Sequence, residues 1–165
     1  MAVPDGAARA LDAHDAFESS DGGYRLTTTE FDGHLTVAET EEWANRYTLT
    51  VRAPMLSTAV EGAVGPDLED GWFDTFGLRL EDAPGAVRDD VDLTDLDVSR
   101  NDGTAVVTFT FEWGNADRAP EIAKALGEYV EGTYMEGVIP GFDYREPVAS
   151  MLSAASQGER GGTPL

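Results

Sequence analysis

The chain has 165 residues, 41% hydrophobic and 9% aromatic, enough apolar material for one domain with its own core. Its 32 acidic residues stand against 11 basic ones, of which only Lys124 is a lysine, giving a formal charge of −21. No Lys/Arg cluster is available to displace counterions from phosphate, which excludes nucleic acid as a direct partner, and the absence of cysteine removes disulfides, thiol catalysis, iron–sulfur clusters and thiolate zinc sites.

On a folded surface of roughly 8,000 Å², a charge of −21 is about one net charge per 400 Å². Such a field loosens a compact state at low salt and is screened above about 1 M, where the Debye length falls to about 3 Å. The acids run from Asp5 to Glu159 rather than forming one tail, a pattern that reads as tuning for high intracellular salt. The competing reading is functional charge that docks a basic partner or mimics nucleic acid. Neither the acid-bearing stretch Met1 to Asp15 nor any other segment offers 18 continuous apolar residues, so the expectation is a cytoplasmic protein with no membrane partner.

In chain order, Val3 to Phe17 has the spacing of a short amphipathic helix, closed by the polar run Ser19 to Gly23. Tyr24 to Glu30, His34 to Glu39 and Arg46 to Arg52 read as three strands of an antiparallel meander, with Asp32-Gly33 as the first turn. After Pro54, Leu56, Val60 and Val64 recur every four residues, and Gly65-Pro66 restarts a helix over Asp67 to Asp82 with Leu68, Trp72, Phe73, Phe76 and Leu80 on one side. Leu93 to Trp113 predicts a hairpin through Asn101-Asp102-Gly103, its second arm alternating so that Phe109, Phe111 and Trp113 share the core face. Asn115 or Asp117 then caps a long helix carrying Ile122, Ala123, Leu126, Tyr129, Val130 and Thr133. A turn at Pro140-Gly141 leads to a short helix over Pro147 to Ser156.

The sum is an α+β fold of order α-βββ-α(α)-ββ-α-α: a mainly antiparallel, twisted, five-stranded sheet with helices packed on one face. Residues 1–156 form a single domain, and 157–165, poor in apolar residues, form a disordered C-terminal tail.

Gly71-Trp72-Phe73-Asp74-Thr75-Phe76, Leu80 to Ala86 and Tyr129 to Tyr144 resemble an uncharacterised haloarchaeal protein family, a domain of unknown function. The resemblance spans most of the chain. It implies a salt-adapted cytoplasmic setting and carries no functional residues over. The element order is also similar, in coarse topology, to type III secretion chaperone-like proteins, whose folds commonly dimerise; this is an analogy of fold and not of function.

Candidate chemistry is sparse. Asp89, Asp90, Asp92, Asp95 and Asp97 crowd carboxylates together but lack the central glycine and distal glutamate of a calcium loop. His14 and His34 sit near aspartates without any partner motif, no serine lies in a nucleophile elbow, and Gly132 to Gly137 is not followed by the lysine and hydroxyl of a phosphate loop. No catalytic residue, metal site or cofactor is therefore assigned.

What stands out is the aromatic and glycine-dense stretch holding Tyr129, Tyr134, Met135, Phe142 and Tyr144. Side chains of this kind suit either an interaction surface or the packing of a helix-to-helix turn. The leading functional expectation is a small protein-interaction or chaperone-like module with a homodimeric or other protein partner. The alternative is a small-molecule binder or enzyme with a cavity between the long helix and the Phe109, Phe111, Trp113 face.

Overall fold

A computed structural model describes residues 3–161 and places an antiparallel sheet beneath five α-helices. Helix α1 (Asp5–Ala13) precedes strands β1 (Phe17–Ser20), β2 (Gly23–Leu26), β3 (Asp32–Glu39) and β4 (Asn45–Pro54). Helices α2 (Leu56–Ala59) and α3 (Pro66–Leu80) and a 3-10 turn (Ala83–Ala86) lead to the hairpin β5 (Leu93–Asn101) and β6 (Thr104–Trp113), followed by α4 (Ala119–Glu136) and α5 (Val148–Gly161).

The sheet has six strands, not five, in the order β1-β2-β3-β4-β6-β5. The added strand is β1, which pairs with β2 through a turn at Asp21-Gly22, both at positive φ (40° and 78°). That geometry is the tight turn whose twist matches a hairpin, so the polar run expected to close α1 instead joins two strands. It also moves Phe17 out of the helix and onto the sheet. Asp32-Gly33, expected as a turn, lies inside β3 with Gly33 opposite Leu26 and Val51. The β5–β6 turn falls where expected, with Asp102 and Gly103 at φ 44° and 80°.

The helix expected from Leu56 stops at Ala59, and Val60 forms a bridge with Tyr144 instead. In α4, Arg118 occupies the N-cap position, while Asn115 accepts a hydrogen bond from the Asp117 N–H in the preceding turn. Helix α5 reaches Gly161 and so covers the first five residues of the expected tail, 157–161; residues 162–165 lie outside the described residues.

Alternation along each strand splits the sheet into two faces. Leu35, Tyr47, Leu49, Val51, Val107, Phe109 and Phe111 are buried on the helix side. His34, Thr48, Thr50, Thr108 and Thr110 stand half-exposed on the other. Gly127 lets α4 lie close on the sheet, because a Cβ there would come within 2.4 Å of Leu26 Cδ2. Buried Glu69 ties the helical layer to the edge strand: its carboxylate accepts from the Ser57 N–H of α2 (2.6 Å) and from Arg100 of β5 (3.1 Å).

Candidate functional site: a groove between α3 and α4

Gly65-Pro66 begins α3, with proline in the first turn, where its missing N–H costs nothing, and Asp67 and Glu69 at the positive end of the helix dipole. Trp72, Phe76 and Leu80 then fall at four-residue spacing and are buried, the first two against Tyr134 of α4. Leu68, expected on the same side, is 45% exposed at the rim.

Between α3 and α4 lies a groove of about 490 Å³. Its floor is aromatic. Trp72 stacks on Phe76 (centroids 5.7 Å apart), and Tyr134 meets both edge-on at 5.4 and 5.9 Å. Gly71 leaves one wall bare, since among the described residues nothing beyond its chain neighbours and its own helix backbone stands within 4 Å of where its Cβ would be. The rim carries Asp67 and Glu136 as anions and Arg79 as a cation.

The five residues predicted as an interaction surface are distributed differently from one exposed patch. Tyr134 is 1% exposed, and its hydroxyl donates to the Pro54 carbonyl at 2.9 Å. Burial pushes this phenol well above the usual tyrosine range. Tyr129, Met135, Phe142 and Tyr144 are half-buried against the core. The Tyr129 hydroxyl donates to the Arg79 carbonyl at the end of α3 (3.1 Å), and that of Tyr144 accepts from the Ile139 N–H (2.9 Å). Of the five, only Tyr134 lines the groove. Trp72 and Phe76, which complete its floor, were readable as helix-face residues, but the groove itself depends on two distant helices meeting.

At the interface between the sheet and α4, where the alternative reading put a cavity, Phe109, Phe111, Ile122, Leu126 and Val130 are fully buried. Trp113 is half-buried, and its indole N–H has no partner among the described residues.

Both ring nitrogens of His14 are occupied: Nδ1 accepts from the Ala16 N–H (3.1 Å), and Nε2 therefore carries the proton it shares with Glu121 (2.8 Å). The imidazole clamps α1 to α4. His34 places Nε2 3.1 Å from the Ser20 carbonyl. From the aspartate run, Asp89 binds Arg118 through two contacts of 2.8 and 3.2 Å, and that guanidinium holds the Asp89 carboxyl below its ordinary range. Among the described residues no group of three His, Cys, Asp or Glu side chains is placed to hold a metal ion. No described helix is long and apolar enough to cross a membrane.

No curated protein and no solved structure matches the chain. Residues 12–154, from the end of α1 into α5, match the family of unknown function DUF5813, and the chain belongs to that family.

Proposed function

We propose that the protein is a small interaction module of a salt-rich cytoplasm, and that its groove between α3 and α4 receives an apolar segment of a partner protein. One observation carries this reading: a concave aromatic floor, bordered by the exposed Leu68, in a chain that carries 32 acidic residues against 11 basic ones. Salt adaptation accounts for the carboxylates and gives no reason for a groove floored by aromatic side chains. Such grooves take amphipathic segments by burying a few large side chains, while rim charges fix orientation. Here Asp67 and Glu136 favour a basic residue at one end of the segment and Arg79 an acidic one at the other.

The test is to fill the groove. Gly71→Phe places a ring in open space on the bare wall and replaces a helical glycine, so folding should be retained or raised by about 0.5 kcal/mol. In multimolar KCl, immobilised wild-type protein should retain a protein from host extract that Gly71→Phe releases. Retention by both forms, or by neither, would remove the groove from partner binding. A small apolar ligand seen by native mass spectrometry in the wild type and lost from Gly71→Phe would replace the protein partner with a small molecule.

A further inference from the structure

Strand β5 forms one margin of the sheet. It pairs with β6 on one side and, among the described residues, has no neighbouring strand on the other. The opposite margin, β1, is four residues long, whereas β5 runs for nine. Natural edge strands of this length are usually blunted by lysine, proline, bulges or inward charge. Here there is one irregularity, between Leu93 and Asp95, and one charge on the helix-facing side, Arg100, which Glu69 and Asp70 neutralise; the seven residues from Asp95 pair with β6 in regular register.

Beside this edge, on the helix side, lies a second groove of about 640 Å³, lined by Phe73, Leu78, Leu96 and Val98 and rimmed by Asp74 and Glu81. Leu78 is 66% exposed. Val98 and Leu96 lie opposite the buried Val107 and Phe109, so their side chains continue the core to the margin of the sheet. Helix α3 sits over this margin, and a Cβ on Gly77 would stand 3.8 Å from Val98 Cγ1.

We propose that β5 pairs antiparallel with β5 of a second copy about a two-fold axis through Val98, joining the two sheets edge to edge and covering Leu78. This surface lies on the other flank of α3 from the groove proposed for a partner, and does not depend on it. The charge pattern selects the register. A two-fold axis perpendicular to the sheet keeps both helical layers on the same side, so core-facing residues must oppose core-facing residues. Centring on Leu96 sets Asp95 against Asp97, and centring on Asp97 sets that carboxylate against itself, both unfavourable directly across strands. Centring on Val98 opposes Val98 to Val98, Leu96 to Arg100, Asp97 to Ser99 and Asp95 to Asn101. This is the longest register over the regular part of β5 in which no like charges meet. Asp74 and Glu81 of the two copies approach one another across the axis, so association strengthens as salt screens them.

Sedimentation equilibrium in multimolar KCl should show a dimer that weakens as KCl is lowered within the folded range. Leu78→Glu, at an exposed position, should raise the dissociation constant at least about thirtyfold while circular dichroism stays unchanged. The absence of cysteine supplies a second readout. Val98→Cys should form a disulfide or accept a short thiol cross-linker between two copies, and Ser19→Cys on β1 should not. A monomer at millimolar concentration, a dimer indifferent to Leu78→Glu, or cross-linking at Ser19 and not at Val98 would overturn the pairing. The Gly71→Phe variant should dimerise normally, so loss of the partner groove and loss of this interface are separately visible.

Discussion

Lowering KCl from multimolar to about 0.1 M is expected to remove several kcal/mol of folding stability. The chain carries 32 acidic residues, and the described residues contain seven ion pairs, one of them through His14. Most of the described carboxylates therefore have no cation within ion-pair distance, and their mutual repulsion is uncompensated. Two unit charges about 10 Å apart repel by ~0.4 kcal/mol in unscreened water, and a Debye length of about 10 Å at 0.1 M leaves roughly a third of that. Dozens of such pairs sum to several kcal/mol, against a total stability of about 5–15 kcal/mol for an ordinary domain. Near 1 M the Debye length of about 3 Å removes nearly all of it. Thermal melts followed by circular dichroism should show the midpoint rising with KCl and rising similarly with NaCl, since screening depends on ionic strength. An equal midpoint at both ends of the range would contradict the salt-adapted reading.

The same carboxylates limited what could be read from sequence. In a chain this acidic, Asp89 to Asp97 looks like a ligand cluster by composition alone, yet Asp89 is paired with Arg118 and β5 carries Asp95 and Asp97 as ordinary strand residues. Signals that do not involve acids were more legible. Strict alternation fixed β6, Asp102-Gly103 fixed its hairpin, and the apolar spacing from Ile122 to Thr133 marked α4. Strand β1 was missed because four residues are too few to show alternation, and Asp21-Gly22 is equally compatible with a helix end. Its true role is set by β2, which gives Phe17 and Ser19 their partners.

The groove was illegible for a different reason. Each helix can be recognised from its own period, but Trp72 and Tyr134 are more than sixty positions apart, and only the packed layer brings them to 5.4 Å. The local hint was Gly71, a glycine on the exposed side of a helix beside a tryptophan. Glycine there weakens the helix by about 1 kcal/mol relative to alanine, a cost with no return in packing, because among the described residues no atom beyond its chain neighbours and its own helix backbone lies within 4 Å of where its Cβ would be.

Tyr134→Ala is expected to cost about 3–5 kcal/mol, the range for deleting a large buried aromatic side chain. The ring is enclosed by Phe31, Trp72 and Phe76, and removing it also leaves the Pro54 carbonyl without its donor. Tyr134→Phe keeps the ring and loses the hydroxyl, so about 1 kcal/mol should go, measured by urea denaturation in multimolar KCl. The two variants also separate by pH. Burial raises the folded-state pKa of Tyr134 above its unfolded value of 10.0, so the folded state holds its proton longer. Below pH 10 both states are protonated and no stability is affected; as pH rises past 10 the unfolded chain ionises first, and stability falls. Tyr134→Phe should therefore be the weaker protein at pH 7 and show a shallower alkaline loss, the remainder coming from Tyr24 and Tyr47, whose phenols burial also raises. Parallel alkaline curves for wild type and Tyr134→Phe would mean that Tyr134 is hydrated in the folded protein. A hydrated Tyr134 would open the groove floor to water and weaken the case for a dry aromatic docking site, so this measurement bears on function although the residue itself is a keystone of the core.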